Sequence, residues 1–116
     1  MVSAFYNIVI EAGSDFSLTF VLKNAGATID LTDWIFAAQI RQGPDSAVIT
    51  DLDTQVSEDG KRLTISLSHE ETVGILDSGV SQKTFRWDLF GVMPDGFRLR
   101  LLEGQATVVN RITQYA

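Results

Sequence analysis

His69 is the single histidine of this 116-residue chain, and in Ser66–Leu76 (SLSHEETVGIL) it directly precedes Glu70 and Glu71. A histidine among carboxylates is raw material for a metal site or an acid–base pair. The spacing argues against both. On a helix the i+3 and i+4 neighbours of His69 are Thr72 and Val73, neither a usual ligand, while adjacent residues point in different directions. A metal bound here would need three or more carboxylates gathered from elsewhere. The same residues make a good helix start. Ser68 as N-cap and Glu71 three residues later form a capping box, and acids in the first turn suit the helix dipole. Thr72, Val73, Ile75 and Leu76 follow as an apolar patch, and Asp77-Ser78-Gly79 ends the turn. The reading is one short helix near 68–76, with His69 an exposed first-turn residue.

The other candidate chemistry is weaker. Asp51–Gly60 (DLDTQVSEDG) is the densest acidic segment, but an EF-hand loop counted from Asp51 would need glycine at its sixth place and glutamate at its twelfth. Those places hold Val56 and Arg62, so the segment reads as a solvated connection between strands. Ser78 in DSGV lacks the strand–turn–helix setting of a nucleophile elbow, and no glycine-rich phosphate loop is present. Zero cysteines remove disulfides, thiolate metal sites and cysteine nucleophiles. The chain is expected to be non-enzymatic, with no cofactor and no metal.

The elements that would position any site are strands. Residues alternate apolar and polar, the period of a sheet with one buried face. Phe16, Leu18, Phe20 and Leu22 share one side; so do Trp34, Phe36, Ala38 and Ile40; so do Leu63, Ile65 and Leu67. Phe85, Trp87 and Leu89 repeat the pattern, then Phe97, Leu99 and Leu101, then Ala106, Val108 and Ile112. Both tryptophans thus fall on inward faces, which disfavours a sugar-stacking platform. Turn signals separate the runs: EAGSD, KNAGA (with Asn24 and Gly26 suited to positive φ), GPDS, EDGK and MPDG. Their spacing argues for seven or eight antiparallel strands in a β-sandwich or barrel. In IDLT, Asp30 and Thr32 can bond nearby amides while Ile29 and Leu31 turn inward. Gly104 is expected to allow a bulge or bend between the last two strands.

Length and composition bound the rest. Residues 1–116 suit one domain with its own core. Fifteen acids against nine bases give a formal charge of −6, which repels phosphate backbones. Arg86, Arg98 and Arg100 alternate with apolar residues as a solvated strand face does, so no nucleic-acid partner is expected. The N-terminal MVSAFYNIVIEAG has no basic start, reads as a strand of the mature fold, and no apolar run reaches the length of a membrane helix.

The order of these elements carries a resemblance. Gly13–Asp15, the F-x-L-x-F strand Phe16–Phe20, the corner Ile29–Thr32, Gln39–Arg41, Leu67–Thr72 and Leu101–Val108 resemble, in that succession, small virion proteins of tailed phages and prophages. The group is similar to the immunoglobulin-like N-terminal domain of phage baseplate upper proteins. The resemblance implies an immunoglobulin-like sandwich without an active site, located in the virion. It implies a tail or baseplate adaptor meeting other virion proteins in multiple copies. A capsid decoration protein is the alternative, and a carbohydrate-binding host-recognition module the third reading. Residues 1–11 and 109–116 are apolar for terminal segments, so strand addition through them is expected, with Tyr6, Ile112 and Tyr115 as anchors.

Overall fold

The computed structural model of the chain describes residues 4–43, 46–76 and 80–110. Along the chain lie β1 (Ala4–Phe5), β2 (Ile8–Ala12), β3 (Phe16–Phe20), β4 (Lys23–Asn24), β5 (Ala27–Thr28), β6 (Ile35–Arg41), β7 (Val48–Val56), β8 (Leu63–Leu67), α1 (His69–Val73), β9 (Gln82–Val92) and β10 (Arg98–Asn110). One hydrogen-bonded ladder runs β1–β10–β9–β6–β7–β8–β3, with β2 also on β10, and β4–β5 form a separate small hairpin. Strand β7 makes the ladder curl. Its first half pairs β6 up to Leu52, and Asp53–Val56 pair β8. The two ends of the ladder thereby face each other across a core, and the Phe20 ring of β3 stacks 6.4 Å from Trp87 of β9. The result is an immunoglobulin-like β-sandwich.

Alternation decides which side chains fill it. Burial follows the pleat in β2 and β8, and Ile10, Leu31, Ile40, Leu63, Ile65, Leu89 and Val108 are wholly enclosed. Full burial of such a side chain contributes about 1.5–3 kcal/mol, so the cluster outweighs any single cap or turn. In β10 the register shifts between Arg100 and Leu102, leaving consecutive Leu101 and Leu102 both buried. This bulge switches the inward positions from odd to even residue numbers.

Several local expectations need correction. The sandwich is not wholly antiparallel, because β1 and β2 both run parallel to β10. Positive φ in the β4–β5 turn falls on Ala25 and Gly26, while Asn24 closes β4. Phe97 sits in the β9–β10 turn, where its N–H bonds the Asp95 carboxylate, and is 59% exposed. Val73 faces solvent; of the apolar patch after the helix cap, Thr72 and Ile75 are the buried members. Gly104 lies inside β10 and makes no bulge. Pro44, Asp45, Asp77, Ser78, Gly79 and Ile112, all assigned places above, lie outside the described residues.

The Asp30 corner forms in part as the sequence suggests: Asp30 takes an amide and Leu31 turns inward, whereas Thr32 gives its hydroxyl to Asp30 and Ile29 is only partly buried. Asp30 Oδ1 accepts the Thr32 amide at 3.0 Å and its hydroxyl at 2.6 Å, and Leu31 turns fully inward. The Leu31 N–H bonds the Gly60 carbonyl at 2.7 Å, docking this corner on the β7–β8 turn. Gly60 has φ +72°, and a Cβ there would meet Thr32 Oγ1 and Asp30 Oδ1 at 2.5 and 2.7 Å. Glycine is thus required twice over, for conformation and for space.

Candidate protein-binding surfaces

The first surface is the N-terminal edge. β1 pairs Leu102 and Glu103 of β10, and β2 resumes the parallel ladder at Ala106. Between them Tyr6 and Asn7 cross Gly104. The Tyr6 N–H donates to the Glu103 carbonyl at 2.9 Å, and Asn7 Oδ1 replaces a ladder acceptor by taking the Gln105 N–H at 3.0 Å. The Tyr6 carbonyl accepts from Trp87 Nε1 at 2.7 Å, giving the buried indole its only described partner. Space for that carbonyl exists because residue 104 lacks a side chain: a Cβ there would stand 2.8 Å from the Tyr6 carbonyl carbon and closer to its oxygen.

Tyr6, expected as an anchor, is 43% exposed, and its ring packs edge-on against Phe20 at 5.4 Å. Its neighbours on this edge are more open: Phe5 is 75% and Val9 64% exposed. Residue type alone does not mark them as anchors, although Phe5 and Val9 stand opposite the buried Ile8 and Ile10 in the alternation. The other two expected anchors, Ile112 and Tyr115, lie outside the described residues.

The second surface surrounds α1. The capping box is present, with Glu71 N–H to Ser68 Oγ at 3.3 Å and Ser68 N–H to Glu71 Oε1 at 3.0 Å. His69 contributes its backbone N–H, at 2.6 Å, and its ring Nδ1, at 3.0 Å, to Asp15 Oδ1. These bonds, the ring's first and then the amide's, hold the Asp15 carboxyl below its ordinary range. His69 thus ties the helix to the β2–β3 corner. Ser68→Ala is expected to lower stability by about 1 kcal/mol in urea unfolding, and His69→Ala by less, because Asp15 keeps the backbone N–H.

The third surface is a hollow of about 370 Å³ on the outer face of β6, β9 and β10. Arg100 stands between two carboxylates there, 3.7 Å from Asp88 and 3.6 Å from Glu103, with its guanidinium 5.4 Å from the Phe90 ring centre. Across the hollow Arg41 donates to the Ser46 carbonyl and to Gln39 Oε1. Partial burial pushes the Asp88 carboxyl up, against the opposing pull of Arg100 and Arg41. A raised carboxylate beside a second one is the pattern of an acid–base pair. Here a guanidinium occupies the space between them, and among the described residues the lining offers no serine, threonine, tyrosine or histidine as nucleophile. What the arrangement does is hold charge across strands.

A group whose folded pKa is raised stabilises the fold below its unfolded pKa, and that contribution is lost as pH rises through the folded value. Wild type should therefore lose stability relative to Asp88→Asn as pH rises from below the ordinary carboxylate range through the raised value. Parallel urea titrations check this, and superimposable pH profiles would contradict the assignment.

Sequence spacing does not pair Asp88 with Arg100, because the two meet only once β9 and β10 are in register. Among the described residues no group of three or more His, Cys, Asp or Glu gathers as a metal site, and no helix is long and apolar enough to cross a membrane. Trp87 is 2% exposed, and Trp34 is half-buried, stacked 5.8 Å from Phe36.

No family model and no curated protein matches the chain. Among solved structures, it is similar to an extracellular domain of the voltage-gated sodium channel β4 subunit, with TM-score 0.52 and 14% identity over 97% of each chain. That likeness places the chain in the immunoglobulin-like sandwich class. That protein is described as forming parallel homodimers that explain its role in cell–cell adhesion. The bradyzoite-specific antigen BSR4 of Toxoplasma gondii matches at TM-score 0.41 and 11% identity, over 100% of this chain and 47% of that one.

Proposed function

We propose that the chain is a non-enzymatic assembly module of a tailed-phage virion, acting through protein–protein contacts at its N-terminal edge. The tail or baseplate adaptor is the role proposed first, with other virion proteins as partners. The observation that carries contact over catalysis is the apolar edge formed by Phe5, Tyr6 and Val9, on strands that pair only β10 among the described residues. An edge of this kind offers backbone groups and alternating side chains to an added strand, and exposed apolar patches mark interaction sites. The virion assignment rests on the succession of sequence elements from Gly13 to Val108. The sodium channel β4 neighbour, described as a homodimer, supports protein contact as a use of such a sandwich.

Particles purified from the source culture, separated into tail and capsid fractions and probed for the chain, test the reading. Wild type should be found in the tail fraction, and folded Phe5→Asp/Val9→Asp should be lost from it. Recovery only with capsids would favour the decoration role. Absence of the wild-type chain from all particles would defeat the proposal.

A further inference from the structure

The opposite end of the ladder is β3, and it is an undefended edge. It pairs β8 from Phe16 through Phe20 without a register shift, and no described residue pairs its other side. Natural edges are usually blunted by lysine, proline, inward charge or a bulge. FSLTF contains none of these. Its inward residues Phe16, Leu18 and Phe20 remain half-buried, and Ser17 and Thr19 face solvent. Burial is therefore incomplete along the rim that a further strand would close.

The sequence of this strand identifies what fits. FSLTF is close to a palindrome about Leu18: Phe16 mirrors Phe20, and Ser17 mirrors Thr19. In an antiparallel pair of identical strands related by a twofold axis, each residue meets its mirror position. An axis through Leu18 sets Leu18 against Leu18, Phe16 against Phe20, and Ser17 against Thr19. Apolar then meets apolar on the core side and hydroxyl meets hydroxyl on the wet side, the cross-strand pairings that stabilise sheets. No formal charge lies within the five residues to oppose the contact.

We propose that β3 is a self-association edge, pairing antiparallel with β3 of a second copy about a twofold axis through Leu18. This surface touches the N-terminal edge where the Tyr6 ring meets Phe20, but it uses the backbone of β3 and goes beyond the role assigned to that edge. Five residues make a small contact by the standard of stable dimers. Association should be weak in free solution, with Kd on the order of 100 µM, and effective where many copies are held close together.

The test is sedimentation velocity of the full chain over about 10 µM to 1 mM, with amide exchange at Phe16–Phe20 as a second readout. Wild type should dimerise with concentration and protect those amides. Ser17→Lys/Thr19→Lys sets lysine against lysine and should weaken dimerisation at least tenfold. Ser17→Lys/Thr19→Glu sets lysine against glutamate and should restore it, more so at low salt. Both variants lose the Thr19–Thr64 hydroxyl contact equally, so a merely structural effect would not separate them. A wild type monomeric throughout, or two variants behaving alike, would overturn the proposal. A monomer that still enters particles would leave the assembly role standing.

Discussion

Gly104→Ala is expected to destabilise the protein by about 3 kcal/mol or more, and Gly104→Val at least as much. Strand propensity predicts the reverse, since glycine weakens a strand interior and valine strengthens one. The difference comes from one atom. The first side-chain carbon at 104 would occupy the place of the Tyr6 carbonyl, and a backbone group cannot rotate aside as a side-chain tip can. If the N-terminal strand shifts to relieve the clash, Trp87 Nε1 loses its 2.7 Å acceptor inside the core. An unpaired buried donor costs about 1–3 kcal/mol. If the strand detaches, Ile8 and Ile10, now 4% and 0% exposed, enter water as well. Urea unfolding measures the loss, and amide exchange across Ile8–Ala12 locates it. An alanine variant as stable as wild type would show that the crossing at Tyr6 is not held as described.

Thr72→Val should cost about 2 kcal/mol, although the two side chains have nearly the same shape. Thr72 is the one fully buried polar residue among those described. Its hydroxyl accepts the Gly13 N–H at 3.0 Å and donates to the Ser14 carbonyl at 2.8 Å, with the His69 carbonyl 3.1 Å away. One oxygen therefore satisfies backbone groups of the corner where Gly13 turns at φ +84°. Valine would leave the partly buried Gly13 N–H without its acceptor. Thr72→Ser, which keeps the hydroxyl and gives up one methyl, should cost less than the valine variant. Comparative unfolding of the two decides between hydrogen bonding and packing; a milder valine variant would favour packing.

Much of this fold was legible from period-2 alternation. The inward sets of β3, β6, β8 and β9, the capping box at Ser68 and the Asp30 corner all follow from local rules, because they involve neighbours in sequence. The parity change in β10 was also present in the residues: Leu99 and Leu101 are odd, Ala106 and Val108 even, and the paired leucines 101–102 mark the bulge that reconciles them. What local rules do not carry is pairing. Nothing in residues 4–12 states that they run parallel to residues 102–110, so Gly104 read as a bend when its reason is a carbonyl nearly a hundred residues away. The charged hollow was hidden for the same cause. Phe97 and Val73 were misplaced because an apolar residue beside a turn or helix end continues the pattern without continuing the buried face. Of the three expected anchors, Tyr6 is placed by the structure at a half-exposed edge, packed on Phe20.

The N-terminal edge is the surface proposed to meet another protein. A photo-crosslinking amino acid at Phe5, with the same group at exposed Gln55 on the opposite sheet as control, tests it inside assembled particles. Crosslinks from position 5 to a second virion protein, and few from position 55, are the predicted result. Crosslinks from position 55 and none from position 5 would contradict it.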